Sequence, residues 1–378
     1  MEIVLKENPE QLELMRCMGS TNPAVAREAT EAIAAFLGPV VRKVLMTAGT
    51  VAKIYRDVEY DEDSDPSIPV DLFYAEGEGY VTVWSQNVAG GLPTSQVTGF
   101  KELKFGTYRI DAGVSFNKKY ARKARLDVLS KAVERLINEV LIKQERNGWA
   151  VILKGIAEAY TVTQPNGNLV HAIATATPGV FQLKDLSNLM TRIKRINSSY
   201  SSNTPVAPYT YGMTDLYTSP ETKAQIRAFA YNPVDTSSGN TVQNLPQNLR
   251  EEIYRTAGMQ SIFGVNIVEM NEFGIGQKYN VLFNKFTTAG GNGFAQAIPG
   301  NNGGNWSATD EIMVGIDNTR GALLRPIARQ SDSGGTFTVL PDGQFEAYGT
   351  RVQKVGFYGF LEEGRVLLDA RALSALIL

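Results

Sequence analysis

Residues 117–148 read NKKYARKARLDVLSKAVERLINEVLIKQERNG. Leu126, Leu129, Val133, Leu136, Ile137, Val140 and Leu141 recur at helical spacing. Lys131, Glu134, Arg135, Asn138 and Glu139 fill the other side, so one apolar stripe is left to face a core. Asn117 has the short polar side chain that caps a helix start, and Gly148 is a natural stop. The spacing predicts a helix over 118–147, roughly 45 Å long at the α-helical rise. That is long for a globular protein. The stripe is too broad and too short for a coiled coil.

The helix opens on five cations: Lys118, Lys119, Arg122, Lys123 and Arg125. They stand at the positive end of the helix dipole, the less favourable end for cations. A partner of negative charge, either DNA or an acidic segment of a neighbouring subunit, compensates them in one reading. A solvated basic face is the plainer alternative.

Upstream, Ile110-Asp111-Ala112-Gly113-Val114-Ser115 alternates and reads as a strand, as do Leu103-Lys104-Phe105 and Tyr108-Arg109-Ile110. Tyr80-Val81-Thr82-Val83-Trp84 is their outgoing counterpart, and Asn87 to Gly99 is a Gly/Pro/Ser/Thr-rich tip. Such a two-stranded excursion is marginal alone in water, so it packs on its own chain or on a neighbour. Residues 20–39 predict a helix, with Asn22 as cap, Pro23 at the first position and Gly38-Pro39 as stop. Val25, Ala29, Ala32, Ile33 and Phe36 are its expected buried face. Residues 40–70 lose the pattern, turn acidic, and read as an arm with little core of its own.

Downstream, Trp149-Ala150-Val151-Ile152-Leu153 is an apolar run. Leu183, Leu186, Met190, Ile193 and Ile196 mark a helix, Ser219-Pro220-Glu221 starts another, and Leu249 and Ile253 mark a third. Ile262–Val268 and Tyr279–Phe283 read as buried strands. Ala289 to Asn305 is a Gly/Asn-rich loop. Phe345–Tyr348, Val352–Phe360 and Arg365–Leu368 fit a sheet.

The 378 residues are 43% hydrophobic and 20% charged, enough apolar material for one large domain or two to three smaller ones. A net charge of −2 gives no overall positive field to attract nucleic acid. Cys17 is the only cysteine, so no intrachain disulfide forms, and a reducing compartment is expected. The start Met1-Glu2-Ile3-Val4-Leu5-Lys6-Glu7 lacks the pattern of a signal peptide, and no apolar stretch is long enough to span a membrane. Asn305-Trp306-Ser307 is then a chance glycosylation match.

Catalytic signals are weak. His171, the only histidine, lies in the alternating segment Asn168–Ala174 and reads as structural. With one His and one Cys, the common zinc sites cannot be built. Gly274-Ile275-Gly276 begins like a dinucleotide fingerprint, but Tyr279 stands where the third glycine belongs. Asp61, Asp63 and Asp65 have calcium-loop spacing, but Pro66 and Leu72 occupy the positions that need Gly and Glu. The cluster Asp57, Glu59, Asp61, Glu62, Asp63, Asp65 therefore reads as a solvated acidic linker. No catalytic, cofactor-binding or metal-ligating residue is assigned, and no cofactor is expected.

The order of these parts resembles the Hong Kong 97 capsid fold of tailed phages, an α+β fold. The arm is similar to residues 1–70 and the extended loop to 71–112. The spine helix is similar to 118–147, and Ile110–Ser115 to the step that leads into it. Residues 113–150 with 341–378 resemble the peripheral domain, and 151–340 mainly the axial domain. Asp215–Thr222 resembles the axial strand-turn-helix. Ile262–Val268 resembles the strand usually written LFGxPV, with Asn266 in place of the proline. The resemblance implies a non-enzymatic subunit, assembled in the host cytoplasm, that forms hexamers and pentamers of an icosahedral shell around double-stranded DNA. It also implies scaffold or decoration proteins as possible partners, and no membrane. Some members cross-link through a loop lysine. Lys101 and Lys104 lie on the candidate loop, but nothing identifies the partner asparagine, so that chemistry is not assigned. Rival readings are an encapsulin-like compartment shell, a carboxylate-dependent hydrolase of another fold, and a tail or baseplate protein.

Overall fold

The computed structural model describes residues 8–62, 64–69, 102–159, 171–198, 212–231, 251, 261–287, 298–301, 305–329, 338–341 and 353–378. Its helices are α1 (Pro9–Met18), α2 (Pro23–Thr47), α3 (Val51–Ile54), α4 (Lys118–Arg122), α5 (Leu126–Ala159), α6 (Leu183–Ser198), α7 (Pro220–Tyr231) and α8 (Lys278–Phe286). The first strands are β1 (Arg56–Asp61), β2 (Ser67–Pro69), β3 (Glu102–Lys104), β4 (Tyr108–Asn117), β5 (Ala172–Ala174), β6 (Asp215–Thr218) and β7 (Ser261–Ile262). The remainder are β8 (Val265–Glu269), β9 (Ile312–Ile316), β10 (Leu323–Arg329), β11 (Thr338–Pro341), β12 (Lys354–Glu363), β13 (Val366–Leu367) and β14 (Leu373–Ile377). The class is mixed α+β. The described residues fall into two compact units. Among them, the first draws on residues 8–69, 102–148 and 323–366; the second draws on 149–322 and 367–378.

In the first unit, β4 runs antiparallel to the whole of β12, from Tyr108 opposite Glu363 to Asn117 opposite Lys354. β11 pairs with β12, and β1 lies parallel to β10 from Arg56 opposite Leu324 onward. Short β2 and β3 pair antiparallel. The core joins helices to this sheet: Met15, Ile33, Leu37, Leu129 and Val133 pack with Phe116 and Phe357.

Two helix boundaries differ from expectation, each for a packing reason. α2 does not stop at Gly38-Pro39 but runs through Pro39 to Thr47. Val41, Val44 and Leu45 beyond the proline are buried with Ile33 and Leu37. Their burial, at about 1.5–3 kcal/mol per large side chain, offsets the cost of a proline inside a helix. The buried face is also rotated: Ala26, Ala29 and Ile33 are buried, whereas Val25 and Phe36 are exposed. Residues 40–47, expected to lack helix, are therefore helical, and β1 is a sheet member rather than loose linker.

The second correction concerns the long helix. It is broken at Lys123–Arg125 and extends past Gly148 to Ala159. Ala124 takes a left-handed φ of 51°. The Ala124 N–H donates to the Ala121 carbonyl (2.9 Å) and the Arg125 N–H to the Tyr120 carbonyl (3.1 Å), a Schellman-type close of α4. Gly148 is there for contact, not termination: a Cβ would lie 2.6 Å from a Val51 methyl of α3.

The second unit holds a six-stranded sheet in the order β5-β14-β9-β6-β8-β7. The C-terminal strand β14 thus sits inside this sheet, parallel to β5 and antiparallel to β9, although 341–378 was expected as one peripheral piece. α6, α7 and β6 form where predicted, with Leu186, Leu189 and Ile193 buried against Leu216, Met313 and Leu376. Trp149 is fully buried among the rings of Tyr217 (5.0 Å), Phe273 (5.1 Å) and Tyr279 (5.5 Å). Tyr279–Phe283 is helix, not strand: Tyr279 and Phe283 share the buried face while Val281 is exposed. Ile262–Val268 is a hairpin rather than one strand, turned by left-handed Phe263 and Gly264. Residues Tyr80–Trp84 and 87–99, the helix of Leu249 and Ile253, and Phe345–Tyr348 lie outside the described residues.

Candidate functional site

Residues singled out for chemistry are placed apart from one another. His171 is buried just before β5, with Nδ1 2.9 Å from the Leu373 carbonyl oxygen. Burial holds its pKa below the ordinary histidine value, against the hydrogen bond to Leu373 and the charge of Asp369. Of the acidic cluster, Asp57 accepts two hydrogen bonds from buried Arg325, at 2.5 Å from Nε and 2.6 Å from Nη2. Asp65 pairs at the surface with Lys104 at 3.3 Å. Asp63 and Lys101 lie outside the described residues. Among the described residues no group of three or more His, Cys, Asp or Glu is placed to hold a metal. Gly274 and Gly276 form a left-handed turn, and a Cβ on Gly274 would meet the Glu221 carboxylate at 3.1 Å. An acidic neighbour so close suits a phosphate poorly.

One buried hydroxyl–carboxylate chain was not foreseen. The Thr222 hydroxyl donates to Glu311 Oε1 (2.9 Å), and the Thr222 backbone N–H donates to Ser219 Oγ (3.1 Å). Burial pushes the Glu311 carboxyl above its ordinary range. Ser219 and Thr222 are fully buried, so these groups anchor the start of α7 instead of meeting a substrate.

The strongest exposed chemical feature is the basic segment. The Asn117 side chain accepts from the Lys119 N–H (2.9 Å) and starts α4. Ala121 is the buried contact of this short helix, while Lys119, Tyr120, Arg122, Lys123 and Arg125 are exposed and Lys118 is half-buried. Arg122 Nε donates to the Gly19 carbonyl at 2.8 Å, at the C-terminal end of α1. A Cβ on Gly19 would lie 2.7 Å from the Arg122 backbone N, so glycine permits this approach. Arg16 of α1 lines the same cleft as Arg122, together with Glu13. The run of cations was legible in the sequence. The break at Ala124 that turns Lys123 and Arg125 away from a continuous helix was not.

No protein-family model matches the sequence, and no curated protein matches it. Solved structures do. One from the Microbacterium phage Oxtober96 covers 88% of this chain and 91% of its own at 12% identity, with a TM-score of 0.48. The capsid of a native GTA particle covers 88% and 91% at 12% identity, with a TM-score of 0.45. The SrpI encapsulin complex of Synechococcus elongatus covers 73% and 75% at 11% identity, with a TM-score of 0.39. The solved structures this chain is similar to include several from phages, among them the capsid of the cyanophage P-SCSP1u, and they span most of the chain.

Proposed function

We propose that the chain is a major capsid protein of a tailed phage, a structural subunit that self-assembles into an icosahedral shell around double-stranded DNA. The order of described elements carries this reading. The paired β2 and β3 flank residues 70–101, β4 leads directly into α4 and the long α5, a separate mixed unit follows, and the chain returns to lay β12 along β4. In this reading residues 1–70 are the arm, 71–112 the extended loop and α4–α5 the spine. The peripheral domain is built from 113–148 with the returning segment up to Val366, and the axial domain mainly from 149–322 with the C-terminal strand β14 added to its sheet. Subunits meet as hexamers and pentamers, assemble in the host cytoplasm, and take scaffold or decoration proteins as further partners. Contacts that are individually modest close a shell because every subunit repeats them. The role is structural, with no reaction to catalyse.

Light scattering and negative-stain electron microscopy of the purified chain, alone and co-expressed with a candidate scaffold, test the proposal. Closed particles, or rings of five and six, are expected. A monomer under every condition overturns it. Particles that enclose a protein cargo and no nucleic acid assign the chain to a compartment shell instead.

A further inference from the structure

We infer that the exposed basic face of residues 118–125 is the surface through which the subunit holds the phosphate backbone of duplex DNA. The inference rests on the shell reading and names the face that meets the packaged strand. The segment Lys118-Lys119-Tyr120-Ala121-Arg122-Lys123-Ala124-Arg125 carries five cations and no carboxylate, in a chain whose net charge is −2. Some cations elsewhere on the surface pair with a nearby carboxylate, as Arg27 does with Glu31, Arg109 with Asp111 and Lys104 with Asp65. Among the described residues, none of the five cations in this segment pairs with a carboxylate.

The placement of Lys118 is also unfavourable without a partner: it opens α4, where unpaired N–H groups already point outward and a cation is repelled, whereas Lys119 and Arg122 fall in the last turn of this five-residue helix. Non-glycine Ala124 holds a left-handed conformation that ordinarily falls to glycine, and it sets Lys123 and Arg125 in the gap between two helices. Arg16 stands beside Arg122 in a neighbouring cleft, where Glu13 is the opposing charge. A row of fixed phosphates relieves the mutual repulsion of these cations and releases counterions as it binds. The array offers long flexible cations and no ordered set of amide or carboxylate groups to read base edges. It therefore fits backbone contact without sequence preference.

The test uses the full-length chain and the triple variant Lys119→Gln, Lys123→Gln, Arg125→Gln, leaving Arg122 to hold Gly19. All three changed side chains are exposed, and thermal unfolding verifies that the fold is kept. Binding to two short fluorescein-labelled duplexes of unrelated sequence is followed by anisotropy across a salt series. Wild type is expected to bind both duplexes alike, with an affinity that falls as salt rises. The variant should bind more weakly, with a log–log salt slope shallower by about 3, close to one unit per phosphate contact removed. Equal binding and equal slopes overturn the inference. Unchanged DNA binding combined with lost assembly also overturns it and assigns the face to an acidic surface of a second copy. Electron microscopy of the same samples separates the two proposals. Normal shells with patch-independent DNA binding refute only this inference, whereas absence of shells from wild type refutes the shell reading.

Discussion

Glu363 and Asp369 stand close together in the chain, one in each unit, and each is followed two residues on by an arginine that pairs with it. The two pairs solve the problem of a buried charge differently. Asp369 receives Arg371 through Nε (2.9 Å) and Nη2 (2.8 Å), the Arg371 backbone N–H (3.0 Å) and Arg320 Nε (2.7 Å). Burial alone would raise its pKa, but the hydrogen bonds and charges of the two arginines outweigh it and hold the carboxyl below its ordinary range. Glu363 has one arginine, Arg365, whose Nη2 lies 3.1 and 3.0 Å from its oxygens. Neutral donors complete its set, the Tyr108 hydroxyl and Gln144 Nε2, each at 3.1 Å. Arg365 keeps Nε and Nη1 without a hydrogen-bond partner among the described residues, and its guanidinium lies 4.9 Å from the Tyr55 ring centre. The second unit matches a carboxylate with surplus positive charge. The first uses dipoles and an aromatic face, which carry less electrostatic weight.

The sharpest way to break the comparison is to bury a carboxylate with no partner at all. Leu136→Asp does so in the core of the first unit and should cost several kcal/mol, comparable to a domain's whole stability. Far-UV circular dichroism is expected to show loss of that unit. A native spectrum would mean that the assigned helix face is wrong.

Next in size is Asp369→Ala, which removes the buried carboxylate that Arg320 and Arg371 share. A loss of about 3–5 kcal/mol in urea unfolding is expected, confined to the second unit's transition. A loss under 1 kcal/mol, estimated as roughly the worth of an exposed pair, would show that water reaches the arginines. Glu363→Gln should cost less, about 2–3 kcal/mol, because one charged hydrogen-bond acceptor is lost while the Tyr55 ring remains. If it proves as damaging as Asp369→Ala, the neutral partners contribute little.

The smallest expected effect is on pH dependence. Asp369, with its folded pKa below 3.8, contributes stability that is present above that value and lost as pH falls through the folded pKa. Asp317 is the reverse: burial raises its pKa, so its contribution is fullest below 3.8 and is lost as pH rises through the folded value. Asp317→Asn should therefore gain on wild type as pH climbs, and Asp369→Asn should approach wild type in acid. Urea midpoints between about pH 3 and pH 7 read both slopes. Parallel slopes would contradict the assignment.

Much of the fold was legible where one face alone is buried. α6 shows its period because Leu186, Leu189 and Ile193 are buried with Leu183 and Met190 packed beside them, while Lys184, Ser187, Asn188 and Arg192 are exposed. The stripe from Leu126 to Val140 is legible for the same reason. The errors arise where tertiary contact overrides a local signal. Pro39 and Gly148 look like stops, yet the buried residues beyond Pro39 and the close approach of Val51 to Gly148 keep both inside helices. Tyr279–Phe283 is too short an apolar run for its period to separate helix from strand. The paired charges Glu363–Arg365 and Asp369–Arg371 sit within apolar stretches, a visible signal. Nothing in spacing alone tells that Arg320 joins the second pair across the fold.

The parallel pairing of β1 with β10 sets an order for folding. Arg56 finds Leu324, and β4 finds β12, only after the chain has passed through the entire stretch 149–322. While that stretch is disordered it is a very long loop, and each doubling of a loop's length adds roughly 0.6 kcal/mol to the entropy of closing it. Once folded, it is no longer a loop that the first unit must close against, so the sheet of β1, β4, β10 and β12 is expected to consolidate second. Pulsed hydrogen exchange during refolding should protect the amides of β6, β8 and β9 before those of β1 and β10, and the opposite order would show that the first unit nucleates on its own helices.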